Sequence, residues 1–242
     1  MRYLEYGTLD GVPNIMVDGS RHADSLLMLS HWPRSGSPVL LRADLSAQIA
    51  FNYLDHPELH VAAEAVSNNH FDQDGLMSVY ALVDPDGAQS RRDRAIDVAR
   101  AGDFNTYRDR DSMRIAWTLA HLAAAMPDDQ DPYAELLAPL PELLDHPERF
   151  HDSWADEDEH LDASEAAITS GEVQIEEIED LDLAVVTVPE GWELRPAHKF
   201  TAGDHASDTG TALLSGSIRG CRSTLTSIRR DPDDADGAAF VW

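Results

Sequence analysis

Apolar positions in the first third of the chain fall into short runs separated by turn signals, with one stretch at helical spacing. Residues 2–6 and 13–17 read as short strands on either side of Gly11-Val12-Pro13. Residues 26–32 form an apolar run that reads as a buried strand, broken by the Pro, Gly and Ser of residues 33–37. Residues 46–54 carry Ile49, Ala50, Tyr53 and Leu54 at helical spacing, with Asp44 placed as a cap. A short strand is predicted at 60–66, a polar loop at 68–75 and an apolar helix at 76–83.

Helical spacing then dominates. Helices are predicted at 88–101, ended by Gly102, and at 111–126, with Met113, Trp117, Ala120 and Ala124 on one side. Two more follow, at 134–144, interrupted near Pro139 and Pro141, and at 154–170. From Gly171 the pattern changes to strands, at 173–178, 183–188, 213–218, 222–228 and 238–242. The predicted fold class is α/β: a mainly parallel sheet flanked by helices, with a β-rich C-terminal part. Residues 1–170 form the core and residues 171–242 the β-rich part, with no long linker between them. The string Leu-Asp-His-Pro-Glu occurs at Leu54–Glu58 and again at Leu144–Glu148, which reads as two similar helix stops rather than a repeat.

Charge changes the picture of the surroundings more than of the fold. The 242 residues carry 45 acids against 18 bases, a formal net charge of −27. Lys199 is the single lysine. Carboxylates in this excess hold water and ions, and salt screens their repulsion, so the composition points to adaptation to high salt. It disfavours long nucleic acid as a partner, because a broad basic face is lacking. One cysteine, Cys221, allows no intrachain disulfide and no Cys-rich zinc site. With no apolar leader at the start and no run long enough to cross a bilayer, the expected location is the cytoplasm, away from membranes.

Candidate chemistry concentrates in Ser67–Ser78, between the predicted strand and the apolar helix. His70, Asp72 and Asp74 stand at alternate positions and are followed by Gly75. In an extended turn, alternate side chains share a side, so one imidazole and two carboxylates converge beyond a strand end. This donor set suits Mn²⁺ or Mg²⁺, in the place where open α/β sheets hold ligands. Gly75 permits a sharp turn, and the helix N-terminus adds donors for a phosphate. An EF-hand is excluded, since its first and twelfth positions would be His70 and Ala81. The competing assignment is a polar loop with Asp72 or Asp74 capping the helix and His70 exposed. His, Ser and Asp also occur together around Asp18, His22 and His31, which would flank the same cleft if their strands neighbour the one leading to His70. No Gly-x-Ser-x-Gly elbow accompanies them.

The pattern His-x-Asp-x-Asp-Gly-x-x-Ser, at His70, Asp72, Asp74, Gly75 and Ser78, resembles the first motif of the DHH-type phosphoesterases. The resemblance covers about residues 61–82. It implies an α/β fold, metal ligation by His70, Asp72 and Asp74, and a pair of divalent ions, typically manganese. A further ligand aspartate after the next strand is expected, with Asp103 the candidate and Asp84 behind it. Downstream, Asp-His-His is absent; Asp145-His146-Pro147 is the nearest string, and residues 198–203 only faintly echo the superfamily's C-terminal glycine-rich motif. Metal-assisted hydrolysis of a small phosphorylated or nucleotide substrate follows, with Gly75, Ser78 and Lys199 as substrate-binding candidates. The alternatives are a non-catalytic ligand-binding or interaction protein that keeps the loop as a structural turn, and a metal-dependent hydrolase of another kind.

Overall fold

The structure, a computed structural model, describes residues 1–104, 107–127, 129–181, 183–189, 223–229 and 240–241. Strands β1 (Arg2–Tyr3), β2 (Asn14–Val17), β3 (Ser25–Leu29) and β4 (Ala65–Ser67) form a parallel sheet in the order β1-β4-β2-β3. Residues 14–17 and 65–67 are wholly buried, as expected for a parallel sheet. The chain passes from β2 to β3 over residues 18–24 without a helix. That segment therefore begins at the carboxyl edge of the sheet and ends at its amino edge.

Helices α1 (Ser46–Asp55) and α2 (Gln73–Val83) pack on the sheet and on each other. In α2 every residue from Gln73 to Leu82 is buried, the pattern of a helix enclosed on all sides. It lies against α1 and against α4 (Arg92–Phe104), which in turn packs on α5 (Arg110–Ala124). The predicted helix at 88–101 is divided into α3 (Pro85–Ser90) and α4, because Asp84 caps a new start at Pro85 and Arg91 leaves helical geometry. The prolines likewise divide residues 134–144 into α6 (Pro132–Leu136) and α7 (Leu140–Asp145). Helix α8 (Ala155–Ser170) closes the helical part and ends on Gly171, whose φ of 81° is the left-handed conformation that glycine adopts freely.

The recurring Leu-Asp-His-Pro-Glu strings end α1 and α7, and each Pro opens a 3₁₀ turn, at Pro57–Leu59 and Pro147–Ser153. They are helix stops. The C-terminal part holds a second sheet, β5 (Gln174–Ile178), β6 (Leu183–Pro189), β7 (Ser223–Arg229) and β8 (Phe240–Val241), in that order. Its β5–β6 and β7–β8 pairs are antiparallel, and its β6–β7 pair is parallel. Val173, Val186 and Val188 pack with Ala167 of α8 beneath it. The fold class is thus the α/β arrangement expected. The strand expected at 213–218, together with Lys199 and Cys221, lies outside the described residues. Among the described residues no helix is long and apolar enough to cross a membrane.

Candidate functional site

Three loops leave the carboxyl ends of three adjacent strands, β4, β2 and β3. They carry His70 and Asp72, with Asp74 following in the first turn of α2; Asp18; and His31, respectively. Open parallel sheets place ligands at this edge.

Asp18 is the centre. It follows Val17 directly, is 1% exposed, and has φ 44°, an uncommon backbone conformation for a non-glycine residue. The next position is glycine because a Cβ on Gly19 would collide with the side chains of Asn68 and Asn69. The Asn69 Oδ1 accepts the Ser20 amide at 2.7 Å and fastens the β2 loop to the β4 loop. The Ser46 hydroxyl donates to Asp18 Oδ1 at 2.7 Å, whereas Asp18 Oδ2 is buried without a hydrogen-bond partner.

Two imidazoles flank this carboxylate. His70 Nε2 lies 2.8 Å from Asp72 Oδ2 and 3.4 Å from Asp18 Oδ2. On the other side, His31 Nδ1 lies 3.1 Å from Asp74 Oδ2 and 3.5 Å from Asp18 Oδ1, with its Nε2 3.9 Å from Asp103 Oδ2. Asp103 comes from the last turn of α4. The groups Asp18–His70–Asp72 and Asp18–His31–Asp74 each bring three ligand atoms within 4.8 Å of one another, an arrangement able to hold a metal ion. They share Asp18.

Asp72 and Asp74 also serve the backbone. Asp72 caps α2, accepting the Gly75 amide at 2.7 Å. Asp74 reaches across to α1, where its two oxygens accept the Ser46 and Ala47 amides, both at 2.7 Å. Asp44, the expected cap of α1, is not used; the helix starts from Leu45 with no side-chain cap of its own, and Asp74 supplies it from the neighbouring helix. The loop carrying His70 is held by Tyr133 of α6, whose buried hydroxyl donates to the His70 carbonyl at 2.9 Å and accepts from Asn68 at 2.9 Å.

Crowded carboxylates shift the protonation of the cluster. Burial, reinforced by Asp72 and Asp74, raises the Asp18 carboxyl to about 8. Burial, reinforced by Asp74, Asp72 and Asp18, raises Asp103 to about 10. Burial disfavours the charged imidazole of His70, but the carboxylates of Asp18 and Asp72 beside it prevail and bring it up to about 10. His31 is raised as well; burial works against its charge and the contact with Asp74 outweighs it.

The structure brings together His70, Asp72, Asp74 and Asp103, all expected from the sequence. It adds Asp18 and His31, which strand adjacency places in the same cleft. His22 does not join them: it sits at the other end of the 18–24 connection, beside Asp10 and Asp24. Gly75 is buried where an added Cβ would meet Asn68 and Tyr133, so its role here is close packing. Ser78 is buried and its hydroxyl donates to the Asp74 carbonyl at 2.8 Å. Asp84 caps α3 through the Gly87 amide at 3.1 Å. Asp145 and His146 lie elsewhere, paired with Arg91 and Glu148. At the mouth of the cluster, Trp32 and Phe104 stay 47% and 43% exposed, their rings against His70 and His31.

Comparison with known proteins adds one assignment. Searches of curated proteins and of solved structures found no match. Over residues 1–218 the sequence matches a family of unknown function, DUF6687, and the chain belongs to that family.

Proposed function

We propose that the chain is a metal-dependent phosphoesterase acting in the cytoplasm on a small phosphorylated or nucleotide substrate. The observation that carries this reading is Asp18. Asp18 Oδ2 is buried without a hydrogen bond of good geometry and faces the His70 imidazole at 3.4 Å with carboxylates beyond it, a concentration of negative charge whose cost one imidazolium offsets only in part. A cation removes that cost. Asp18 belongs to both ligand groups: His70 and Asp72 on one side, and His31 and Asp74 with Asp103 nearby on the other, are the residues that would hold divalent ions. Oxygen-rich sites suit Mg²⁺ and Mn²⁺, and two imidazoles favour Mn²⁺.

Divalent ions held there would supply a water of lowered pKa and positive charge to balance what develops at phosphorus. The chain's own residues fix the geometry: Ser46 orients Asp18, Tyr133 locks the His70 loop, and the α1 amides hold Asp74. The resemblance to DHH-type phosphoesterases supports the same chemistry. In this reading Asp18 and His31 supply the aspartate and histidine that the missing Asp-His-His would otherwise contribute.

A second reading, a polar core without an ion in a binding or interaction protein, is favoured by one observation: Asp72 and Asp74 already accept backbone amides. Metal analysis separates the two. After dialysis against Mn²⁺ in molar salt, the native chain is expected to retain two ions and to hydrolyse phosphodiester or phosphomonoester test substrates. H70A is expected to lose at least one ion and more than 100-fold in activity. A native chain that retains no metal and turns nothing over, with H70A indistinguishable from it, sinks the enzyme reading.

A further inference from the structure

Beyond the cluster, the loop that follows β3 builds a cavity of about 170 Å³ lined by Ser30, His31, Trp32, Arg34, Ser35 and Arg42. This far exceeds the ~15 Å³ that admits one water. It falls below the ~300 Å³ at which pockets enclose a whole small molecule. The cavity therefore suits one group of a larger ligand. His31 belongs both to the cavity wall and to the Asp18–His31–Asp74 group, so the remainder of such a ligand lies toward the cluster.

The charge of the cavity is opposite to that of the molecule. Arg91, Arg92, Arg94, Arg100, Arg110, Arg114 and Arg149 each pair with a carboxylate. Arg34 and Arg42, both exposed, make no ion pair among the described residues, nor do Arg2, Arg21 and Arg108; what sets Arg34 and Arg42 apart is that both line this cavity. Two guanidinium groups lining one cavity beside His31 supply the donors that an anion needs, and planar forks of this kind match phosphate oxygens.

The loop is also rigid by construction. The Ser37 hydroxyl accepts the Ser30 amide at 2.8 Å and donates to the Ser30 carbonyl at 2.7 Å; the Ser35 hydroxyl donates to the same carbonyl at 2.8 Å. Arg34 itself stands at φ 67°, in the left-handed region that a non-glycine residue seldom adopts. These hydroxyl bonds fix the backbone from which Arg34 projects.

We propose that Arg34 and Arg42 form a subsite for a second phosphate group, so that the substrate carries two: one at the Asp18 cluster and one in this cavity. The assignment rests on the phosphoesterase reading for the first phosphate only. The probe is inorganic phosphate, titrated calorimetrically into the full chain at fixed salt, with and without Mn²⁺. The chelated native chain is expected to bind one phosphate, and the Mn²⁺-loaded chain two. R34Q/R42Q is expected to weaken the metal-independent event at least tenfold while its Mn²⁺ affinity and melting temperature stay unchanged. R34K/R42K, which keeps the charge without the forks, is expected to fall between. In turnover, the double glutamine variant raises KM tenfold or more for a doubly phosphorylated substrate, with little change for a singly phosphorylated one. Phosphate binding and KM unmoved by R34Q/R42Q in a Mn²⁺-loaded, active chain overturn the subsite alone. Arginine-dependent phosphate binding in a chain that holds no Mn²⁺ keeps the subsite and removes only the phosphoesterase reading.

Discussion

At the scale of single residues, Asp18 and its neighbours behave as a site that sacrifices stability. Its carboxylate is buried, raised to about 8 by desolvation and by Asp72 and Asp74, and one oxygen is unpartnered. Replacing it by Asn keeps the shape and the acceptor for Ser46 while removing the buried charge. D18N is therefore expected to melt roughly 2–8 °C above the metal-free native chain near pH 8, corresponding to about 1–2 kcal/mol. On the metal-site reading Mn²⁺ is expected to raise the melting temperature of the native chain but not of D18N. Differential scanning calorimetry with and without chelator checks both; a D18N chain that melts lower when metal-free contradicts the account. Protonation gives a second test. Near pH 7 Asp18, Asp103 and His70 hold protons that bound ions would have to displace, so Mn²⁺ binding is expected to release protons. Affinity then rises with pH between 6 and 8. Calorimetry in buffers of different ionisation heat reads the release directly, and a binding constant flat over that range refutes it.

At the scale of elements, the cluster is a consequence of strand order. β4, β2 and β3 are neighbours, so the loops after them meet at one edge. The local signal at His70, Asp72 and Asp74 was legible in the sequence because alternate spacing before a buried helix is visible along the chain. Asp18 and His31 were legible only as residues conditional on strand adjacency, since nothing local reports that β2 pairs with both β3 and β4. The same limit explains the α1 cap. Asp44 stands at a plausible distance in sequence, but the carboxylate that meets the α1 amides comes from α2, with Ser46 and Asp74 28 positions apart. Strand and helix types emerged from period and punctuation; the split at Arg91 did not, because it depends on Asp84 and Pro85 starting a new helix. Asp74 thus joins α1 to α2. D74A leaves the buried Ser46 and Ala47 amides unpaired, and each such loss costs on the order of 1–3 kcal/mol. Chemical denaturation is expected to show D74A destabilised by about 2–5 kcal/mol, whereas D44A changes stability by less than about 0.5 kcal/mol. Equal effects of the two would restore Asp44 as the cap.

At the scale of the whole molecule, the excess of carboxylates sets how stability answers to salt and acid. With a net charge of −27, self-repulsion opposes the folded state, and the Debye length of about 8 Å at physiological ionic strength leaves neighbouring surface acids in contact with one another's field. The buried cluster adds to this with the same sign. Asp18 and Asp103 keep in the native state protons that the unfolded chain gives up above about pH 4, so their contribution falls as pH rises through about 8 and about 10. His70, raised above its ordinary value, contributes stability below about pH 6.5 that is lost as pH rises through about 10. Opposing them are Asp158, lowered against its burial by Arg114 and Arg110, and Asp145, lowered by Arg91. Their contributions are present above the ordinary aspartate range and disappear as pH falls through it. The metal-free chain at low salt is therefore expected to melt highest near pH 5, lower at pH 8 and lower again below pH 4. In 2 M salt, where screening shortens to a few ångströms, the surface part of the slope between pH 5 and 8 collapses while the buried-cluster part persists. On the metal-site reading Mn²⁺ is expected to remove that remainder, because cations held at the cluster would replace the protons it otherwise needs. Melting curves over pH 4–9 at two salt concentrations, each with chelator and with Mn²⁺, separate the surface from the site: a slope abolished by salt alone assigns it wholly to the surface, and one that responds to Mn²⁺ only after salt has been added locates the remainder at Asp18.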